Sequence, residues 1–415
     1  MSTVLIAALS PRGRVAPLLA VAEDLVCRGH QVTVMTGAEH TGEVGGIGAH
    51  PHPLPASADF DDASFDQVRR TAGPGHNDAV LRLFLRPMPL QAAELRRALS
   101  ARRYDAMIVD YAFFGVLPLL LGARTELPAV LYYSPAPLML SDGDAAPTTG
   151  PPRPAQRATD RMLASMGTGP LPVPVPDVGV LADRLIVPTV PSFEYPRSAL
   201  PDGVRFVGVV RPRRSHRFVA PSWWPALDGE RPVVHVTQGT LDNGDLSHLV
   251  GPTIEALADE DVTVVVTTGG QPASALRTRV PANTFVAEYL PHDRLLPKVD
   301  VLVTNGGYGA VQHALSSGVP VVAAGSTRTK AEVAARVAWS GAGIDLATAT
   351  PTAAAVRSAV RAVRTDRRYL DNARRMEAAF ARRDGVAEVA ALVDEVSAEG
   401  PRTQRTCTHR RPWTG

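Results

Sequence analysis

The chain has 415 residues, 45% of them hydrophobic and 20% charged, and a formal net charge of +2 at pH 7. This length and composition predict two globular domains rather than one, and the near-neutral charge argues against a nucleic-acid partner. Two cysteines exclude a disulfide framework or a cysteine metal site, and no apolar run is long enough to cross a bilayer.

The N-terminal half alternates apolar runs with amphipathic segments. Residues 3–9 form a continuous apolar run typical of a central parallel strand, followed by a helix with Pro17 in its first turn and Gly29 at its end. The next strand is predicted over Gln31–Thr36, which completes one β-loop-α-β unit of a doubly wound sheet. Further strands of this half are predicted over residues 105–110, 127–133, 185–187 and 204–208.

Three stretches lack a regular hydrophobic period. Residues 48–76 are rich in Pro, Gly and His, and we predict a loop there. Residues 141–180 are rich in Pro, Gly and Ala, and we predict a mobile surface segment near a cleft. Residues 211–231 have the composition of a linker between two domains.

The C-terminal half repeats the α/β pattern around a glycine-rich turn. Its strands are predicted over residues 232–236, 262–267, 284–287, 299–303 and 319–324. The turn Thr304–Ala310 joins one of these strands to a helix that ends before Gly318. Such a turn lets backbone N–H groups approach an anion, and the helix dipole adds partial positive charge, so it predicts a pyrophosphate cradle. Close packing of the turn without a ligand is the alternative interpretation.

These patterns predict an α/β protein in which two Rossmann-like, doubly wound parallel sheets face one cleft, with ligands at the carboxyl ends of the strands. The predicted segments are an N-terminal domain over residues 1–210, a linker over 211–231, a C-terminal domain over 232–365, helices over 366–398 that return to the N-terminal domain, and a disordered tail over 399–415.

A set of spaced motifs lies between residues 288 and 343. They are Tyr289-Leu290-Pro291-His292, Leu295-Leu296-Pro297, Asn305-Gly306-Gly307-Tyr308-Gly309, Ala314-Leu315, Gly318-Val319-Pro320, Ala335-Arg336-Val337 and Gly341-Ala342-Gly343. Residues 13–33 add a variant of Gly-His-x-x-Pro and, one helix later, Arg-Gly-His-x-Val-Thr. Together these motifs resemble those of the UDP-glycosyltransferase superfamily, glycosyltransferase family 1. The chain is most similar to the bacterial members that tailor antibiotics and other small natural products.

The resemblance implies a GT-B fold, in which the N-terminal domain binds an acceptor and the C-terminal domain binds a nucleotide sugar. It also implies direct displacement of the nucleoside diphosphate with inversion at the sugar carbon. The nucleotide sugar, a UDP- or dTDP-sugar, would be a co-substrate, and neither a further cofactor nor a metal is expected.

The resemblance also assigns donor-binding positions to the C-terminal half. Tyr289 would stack on the nucleobase and His292 would lie near it. Asn305 stands where the family has a phosphate-binding histidine, and His313 where it has a ribose-contacting glutamate. The positions expected to hold the pyrophosphate are Gly239, Thr240, Gly306, Gly307, Gly309 and Ala310. The positions of the acidic residue and glutamine that contact sugar hydroxyls are Thr329 and Lys330.

The largest departure from the family pattern is Arg14, which occupies the position of the catalytic histidine base. Arginine stays protonated in water and cannot accept a proton from an acceptor hydroxyl. Asp110 matches the acidic residue that orients this base, so an Arg14–Asp110 ion pair is one interpretation and an anion clamp at Arg14 is another. The missing base could be replaced by Asp110 itself, by a histidine of residues 48–76 (His50, His52 or His76), or by an acceptor that ionises easily.

Two functional hypotheses from different classes follow. The first is an inverting glycosyltransferase that moves a sugar, which could be a deoxysugar, from a UDP- or dTDP-sugar to a hydrophobic natural product. The second is a degenerate, non-catalytic family member that binds a nucleotide or small molecule and assists a biosynthetic partner. A nucleotide-sugar epimerase with the same fold is less favoured because residues 288–343 match transferases.

The expected partners are a small-molecule acceptor and a nucleotide sugar, and the sequence leaves the oligomeric state open, with a homodimer as one alternative. We expect no nucleic-acid partner and no stable membrane insertion. Because residues 1–9 run directly into a strand without a basic leader, we expect the protein in the cytoplasm.

Overall fold

The computed structural model describes residues 1–61, 63–64, 67–68, 76–123, 127–140, 154–211, 218–240, 243–325, 328–400 and 410–412. Its chain divides into two compact units. The first unit contains residues 1–188, 196–212 and 384–415, and the second contains residues 189–195 and 213–383.

A seven-stranded parallel sheet forms the centre of the first unit. The strands of this half of the chain are β1 Thr3–Ala7, β2 Gln31–Gly37, β3 His50–Leu54, β4 Ala106–Asp110, β5 Ala129–Tyr133, β6 Arg184–Val187, β7 Ala199–Pro201 and β8 Val204–Phe206. The order in the sheet is β3-β2-β1-β4-β5-β6-β8, so the chain winds outward in both directions from β1 and β4. This order confirms the doubly wound sheet that the sequence predicts.

Alternate residues of the central strands enter two hydrophobic clusters, one on each face of this sheet. Leu5 of β1 and Val109 of β4 lie in one cluster, and Ile6 of β1 and Ile108 of β4 in the other. The helices that cover these faces are α1 Arg12–Cys27, α2 Thr41–Gly46, α3 His76–Leu85, α4 Met88–Ala101, α5 Leu117–Leu121 and α6 Pro154–Ser165. Helix α1 starts more than a turn before Pro17, so the prediction that Pro17 lies in its first turn is wrong.

Two predictions for irregular segments are wrong in part. Strand β3 lies inside residues 48–76 and pairs in parallel with β2, with Thr33 opposite His50 and Gly37 opposite Leu54. Pro51 and Pro53 are tolerated because β3 is the edge strand of this sheet in the described part of the chain, so the N–H groups that proline lacks are not needed to pair with a further strand. Helix α6 lies inside residues 141–180, where composition concealed an amphipathic period. Residues 141–153 lie outside the described residues.

A six-stranded parallel sheet forms the centre of the second unit. Its strands are β9 Val233–Thr237, β10 Thr263–Thr267, β11 Thr284–Ala287, β12 Val301–Thr304, β13 Val321–Ala323 and β14 Gly343–Asp345, in the order β11-β10-β9-β12-β13-β14. Its helices are α7 Val250–Leu257, α8 His292–Leu295, α9 Tyr308–Leu315, α10 Arg328–Trp339, α11 Ala353–Thr365 and α12 Arg367–Phe380. The sequence predicted every strand of this sheet except β14, which has only three residues.

Among the described residues, no helix is long and apolar enough to cross a membrane.

The chain also contains short 3-10 turns. These turns are Ala38–His40, Ala56–Ala58, Phe114–Val116, Val175–Leu181, Pro191–Phe193, Trp224–Asp228, Ala273–Ala275 and Leu296–Lys298. The turn Trp224–Asp228 lies in the predicted linker 211–231, of which residues 212–217 are outside the described part.

The boundaries between the units differ from those drawn on the sequence. Residues 189–195 belong to the second unit, where the Thr189 hydroxyl donates to Gln312 Oε1 at 3.0 Å. Helix α12 packs on α9 and α11, whereas the last helix, α13 Gly385–Glu399, packs on α1 of the first unit. The return to the first unit therefore begins at α13 and not at residue 366. An apolar face made of Val389, Val393 and Val396 explains why α13 docks there.

The tail predicted to be disordered is described only in part. Helix α13 includes Glu399, and Arg410–Pro412 forms β15, which pairs antiparallel with β7. Residues 401–409 and 413–415 lie outside the described residues.

Candidate active site

The glycine-rich turn of the second unit connects β12 to α9 at the carboxyl edge of the sheet. Gly306 has a φ of +80°, and a Cβ atom there would lie 2.9 Å from the backbone oxygen of Lys330, so only glycine fits without strain. The first helical hydrogen bond runs from Val311 N–H to the Gly307 carbonyl at 3.1 Å. The N–H groups of the first turn therefore precede the hydrogen-bond ladder of α9, which is the arrangement that anion-binding helix termini use.

Side-chain amides join this turn to the loop that follows β9. The Nδ2 group of Asn305 donates to the backbone carbonyl of Gln238. Gln238 Oε1 accepts from the N–H groups of Leu249 and Val250 at 3.1 and 3.2 Å, so it also holds the start of α7. Asn305 is therefore fixed by a hydrogen bond to a loop 67 residues earlier in the chain, and its amide has a second hydrogen that this bond does not use.

The loop that follows β10 is packed against the same region. A Cβ atom on Gly269, whose φ is +67°, would lie 2.0 Å from the backbone oxygen of Gly239. Asn243 Nδ2 donates to the carbonyls of Thr268 and Gly269 at 3.0 and 2.8 Å. The loops after β9, β10 and β12 thus form one hydrogen-bonded surface at the carboxyl edge of the second sheet.

A small pocket opens on this surface. The side chains and backbone that line it belong to Gln238, His248, Leu249, Asn305, Ala324, Lys330 and Ala349. Lys330 lies in α10, where its backbone oxygen approaches both Gly306 and Gly325. An ammonium group, an amide and first-turn N–H groups in one region can bind an anion.

Three histidines of the second unit are in ring contact. His292 lies edge-on to His235 with ring centroids 6.0 Å apart and to His313 at 5.4 Å. Burial lowers the pKa of His235 to about 3 and the pKa of His292 to about 4, so both rings are neutral near pH 7. The structure therefore brings together the predicted donor positions His292 and His313, and it adds His235, which is fully buried in β9.

The remaining predicted donor positions lie in the same unit. Gly239 and Thr240 follow β9, Thr329 and Lys330 lie in the first turn of α10, and Gly307, Gly309 and Ala310 lie at the start of α9. Tyr289 follows β11 and is 68% exposed, so its ring is available for stacking.

Arg14 and Asp110 form a buried pair in the first unit. Arg14 lies in the first turn of α1 and is 7% exposed, and Asp110 ends β4 with no exposed surface. Arg14 Nη1 lies 3.4 Å from Asp110 Oδ2, and Arg14 Nη2 donates to the Tyr111 hydroxyl at 3.2 Å. The guanidinium carbon also lies 5.1 Å from the ring centre of Phe84 and 4.7 Å from that of Tyr111, within cation–π range.

Electrostatics fix the charge of Arg14. Burial opposes the cation, but the neighbouring Tyr111 and Asp110 outweigh it and raise the pKa of Arg14 above its usual value. Burial raises the pKa of Asp110, and the Arg14 guanidinium offsets part of this effect. Arg14 therefore remains protonated at any physiological pH and is excluded as a general base.

The histidines considered as replacements for the base do not join this pair within the described residues. His50 and His52 lie on the edge strand β3, and His52 Nε2 is 3.4 Å from Glu94 Oε2. The side chain of His76 lies outside the described residues.

Sequence reasoning did not identify Gln238, Asn243 or Phe84 as parts of the site. Gln238 stands next to Gly239 in a loop that the sequence already marked, so its position was a usable signal. No sequence signal marks Phe84, because it meets Arg14 only through tertiary packing.

Comparisons with known proteins agree with this architecture. Residues 252–396 match the family model described as erythromycin biosynthesis protein CIII-like, C-terminal domain. The chain is 37% identical over 421 residues to 4'-demethylrebeccamycin synthase of Lentzea aerocolonigenes, covering 94% of this chain and 98% of the relative. It is 33% identical over 435 residues to UDP-glycosyltransferase 2 of Phaeomoniella chlamydospora, covering 95% and 96%. The structure is similar to the crystal structure of the calicheamicin glycosyltransferase, with a TM-score of 0.75, 21% identity, and coverage of 96% and 98%.

Proposed function

The chain belongs to the UDP-glycosyltransferase superfamily and is a nucleotide-sugar-dependent glycosyltransferase with the GT-B fold, and on that premise we propose which substrates it joins. The proposed reaction moves a sugar, with inversion, from a UDP- or dTDP-sugar to a hydrophobic small-molecule natural product. The names of the similar proteins, which include a rebeccamycin synthase and a calicheamicin glycosyltransferase, support this acceptor class. The same relatives favour a transferase over the non-catalytic alternative.

The proposed donor site depends on one observation: the loops after β9, β10 and β12 form one hydrogen-bonded surface around the β12–α9 turn. In the proposal, the first-turn N–H groups of α9 and the amide of Asn305 hold the diphosphate, and Lys330 neutralises the charge that develops on it as it leaves. The loop at Gly239 and Thr240 completes this cradle, since it is bonded to Asn305 through Gln238.

The remaining donor contacts are assigned by position. Tyr289 stacks on the nucleobase with His292 nearby, His313 contacts the ribose, and Thr329 faces the sugar. The nucleotide sugar acts as co-substrate, with no other cofactor. The proposal also includes a homodimer and a cytoplasmic location.

Calorimetric titration of UDP and dTDP into the purified protein tests the donor site. We expect micromolar binding of at least one nucleotide and at least tenfold weaker binding, about 1.4 kcal/mol, in the variants Asn305→Ala and Lys330→Ala. Lys298→Ala is the matched control, because it removes the same charge from a lysine that pairs with Asp228. If a folded sample binds neither nucleotide, the proposed transferase function is wrong.

A further inference from the structure

We propose that the acceptor is an acid: an apolar molecule whose reacting group is a phenol-type hydroxyl, which Arg14 binds as the oxyanion. This inference rests on the proposed transferase function and names the acceptor class for the same reaction. It follows from the contacts of Arg14, the inaccessibility of Asp110 and the apolar surroundings of both.

Arg14 has donor capacity that the described residues do not use. A guanidinium has five N–H donors, and the described residues accept from two of its nitrogens, one bond to Asp110 and one to Tyr111. Asp110 accepts through a single contact of 3.4 Å rather than a bidentate pair. It therefore does not occupy all the N–H donors of the planar guanidinium. A buried cation with unused donors favours an additional anionic oxygen.

Asp110 is a poor candidate for the base that removes the acceptor proton. Its side chain has no exposed surface, and its Oδ2 faces Arg14. A general base must come within hydrogen-bond reach of the proton that it takes. Asp110 is therefore a positioning residue that holds the guanidinium, and the described groups around Arg14 include no neutral base. Since none of these described groups can take the proton, the proposal assigns its loss to the acidity of the acceptor itself.

The surroundings of Arg14 fit an aromatic acid better than a highly charged ligand. The guanidinium lies against the rings of Phe84 and Tyr111, which contribute cation–π attraction but no further positive charge. Phe84 and Tyr111 are packed on a large hydrophobic cluster, and other partly buried side chains packed on it include Leu81, Leu83 and Leu140. Because Asp110 already balances the charge of Arg14, the site offers unused N–H donors rather than net positive charge, which suits a single oxyanion on an apolar body better than a phosphate dianion.

The proposed step balances without a protein base. The phenol O–H releases its proton to water when the anion binds at Arg14. The phenolate oxygen then forms a bond to the anomeric carbon, the bond from that carbon to the phosphate oxygen breaks, and the diphosphate leaves with the electron pair. The net products are the glycoside, the nucleoside diphosphate and one proton.

Visible spectroscopy of bound 4-nitrophenol, whose anion is coloured, tests the anion site without turnover. A nearby cation lowers the pKa of an acid by about one to three units, and we expect a shift in this range for the probe bound to the unaltered protein. We expect Arg14→Gln to abolish the shift and Arg14→Lys to keep part of it. Arg12→Gln is the matched control, because Arg12 lies in the same helical turn but is exposed and pairs with Glu43.

The outcomes separate this inference from the proposed function. If the protein binds a nucleotide but the pKa of bound nitrophenol is not shifted, the acidic-acceptor proposal is wrong and the transferase function stands. Equal pKa shifts in the Arg14→Gln and Arg12→Gln variants have the same meaning. A shifted pKa without binding of UDP or dTDP overturns the transferase function, and with it the acceptor role of the anion site. A shifted pKa that depends on Arg14, in a protein that binds a nucleotide, supports both.

Discussion

Arg336 donates from Nε to Glu194 Oε2 at 2.8 Å, and both side chains are at most 2% exposed. This pair attaches residues 189–195 to α10 within the second unit, and the ring of Tyr195 lies 4.4 Å from the Arg336 guanidinium. Glu332, at the start of the same helical turn, accepts a second hydrogen bond from Arg336 at 2.9 Å. The segment is thus held by a buried charge pair whose members are 142 residues apart.

Removing one member of this pair should destabilise the second unit strongly. Glu194→Ala removes the buried carboxylate partner of the Arg336 guanidinium and leaves the partly exposed Glu332 beside it, and the expected loss is about 3–5 kcal/mol. Urea unfolding followed by fluorescence measures it. Asp366→Asn is the control, because Asp366 pairs with Arg368 at the surface and its loss should leave the midpoint nearly unchanged. Equal midpoints for the two variants would contradict the prediction.

Gly306→Ala should abolish nucleotide binding. The added methyl group would meet the Lys330 backbone oxygen at 2.9 Å, and the φ of +80° is unfavourable for alanine, so the turn must move. Calorimetry with UDP and dTDP measures the effect, and circular dichroism checks the fold. Gly45→Ala in α2 is the matched control, since nothing lies within 4 Å of its Cβ position and alanine favours a helix. Undiminished affinity in Gly306→Ala would argue against the cradle.

Stability should fall below about pH 6.5 because two histidines are held neutral. The folded pKa values of His235 (about 3) and His292 (about 4) lie below the unfolded value of 6.5. The unfolded chain therefore binds more protons as the pH falls, and stability is lost progressively between about pH 6.5 and these folded values. His235 alone should contribute on the order of 3 kcal/mol to the loss at pH 4.

Thermal unfolding at pH 7, 6, 5 and 4 measures this dependence. His235→Phe keeps an aromatic ring at the buried position but cannot bind a proton, so its melting temperature should fall less steeply than that of the unaltered protein over the same range. Parallel curves for the two proteins would show that the buried imidazole is not responsible for the loss.

Arg14→His should widen the range of acceptors. A histidine beside Asp110 can accept a proton, and general base catalysis typically contributes 10²–10⁴-fold. With a non-acidic aliphatic alcohol as acceptor, we expect at least a tenfold increase in transfer rate and a pH profile with a rising limb near the pKa of a histidine. Rates on acidic phenols should change less. If the variant still binds nucleotide but transfers sugar to the alcohol no faster than the unaltered protein, the lack of a histidine base at position 14 does not limit the reaction.

Much of the fold was predictable from hydrophobic period, because buried parallel strands appear in sequence as apolar runs such as residues 3–9 and 301–303. Strand β3 was missed because Pro51 and Pro53 resemble loop residues, and only its edge position makes them acceptable. The turn around Gly306 was predicted from local geometry. The contacts of Arg14 with Phe84 and of Asn305 with Gln238 were not, because they depend on tertiary packing between distant segments.

The placement of residues 189–195 and α13 determines how the chain can be divided. Each unit is assembled from segments that are not contiguous in the sequence, so a polypeptide ended at residue 212 lacks α13, and one that begins at residue 213 lacks Glu194. Fragments separated at the linker would each expose apolar surface that the missing segment normally covers. Co-expression of two such fragments should restore a native assembly only if each supplies its segment to the other. A shuffled chimera of two relatives would have to exchange residues 189–195 together with the second unit.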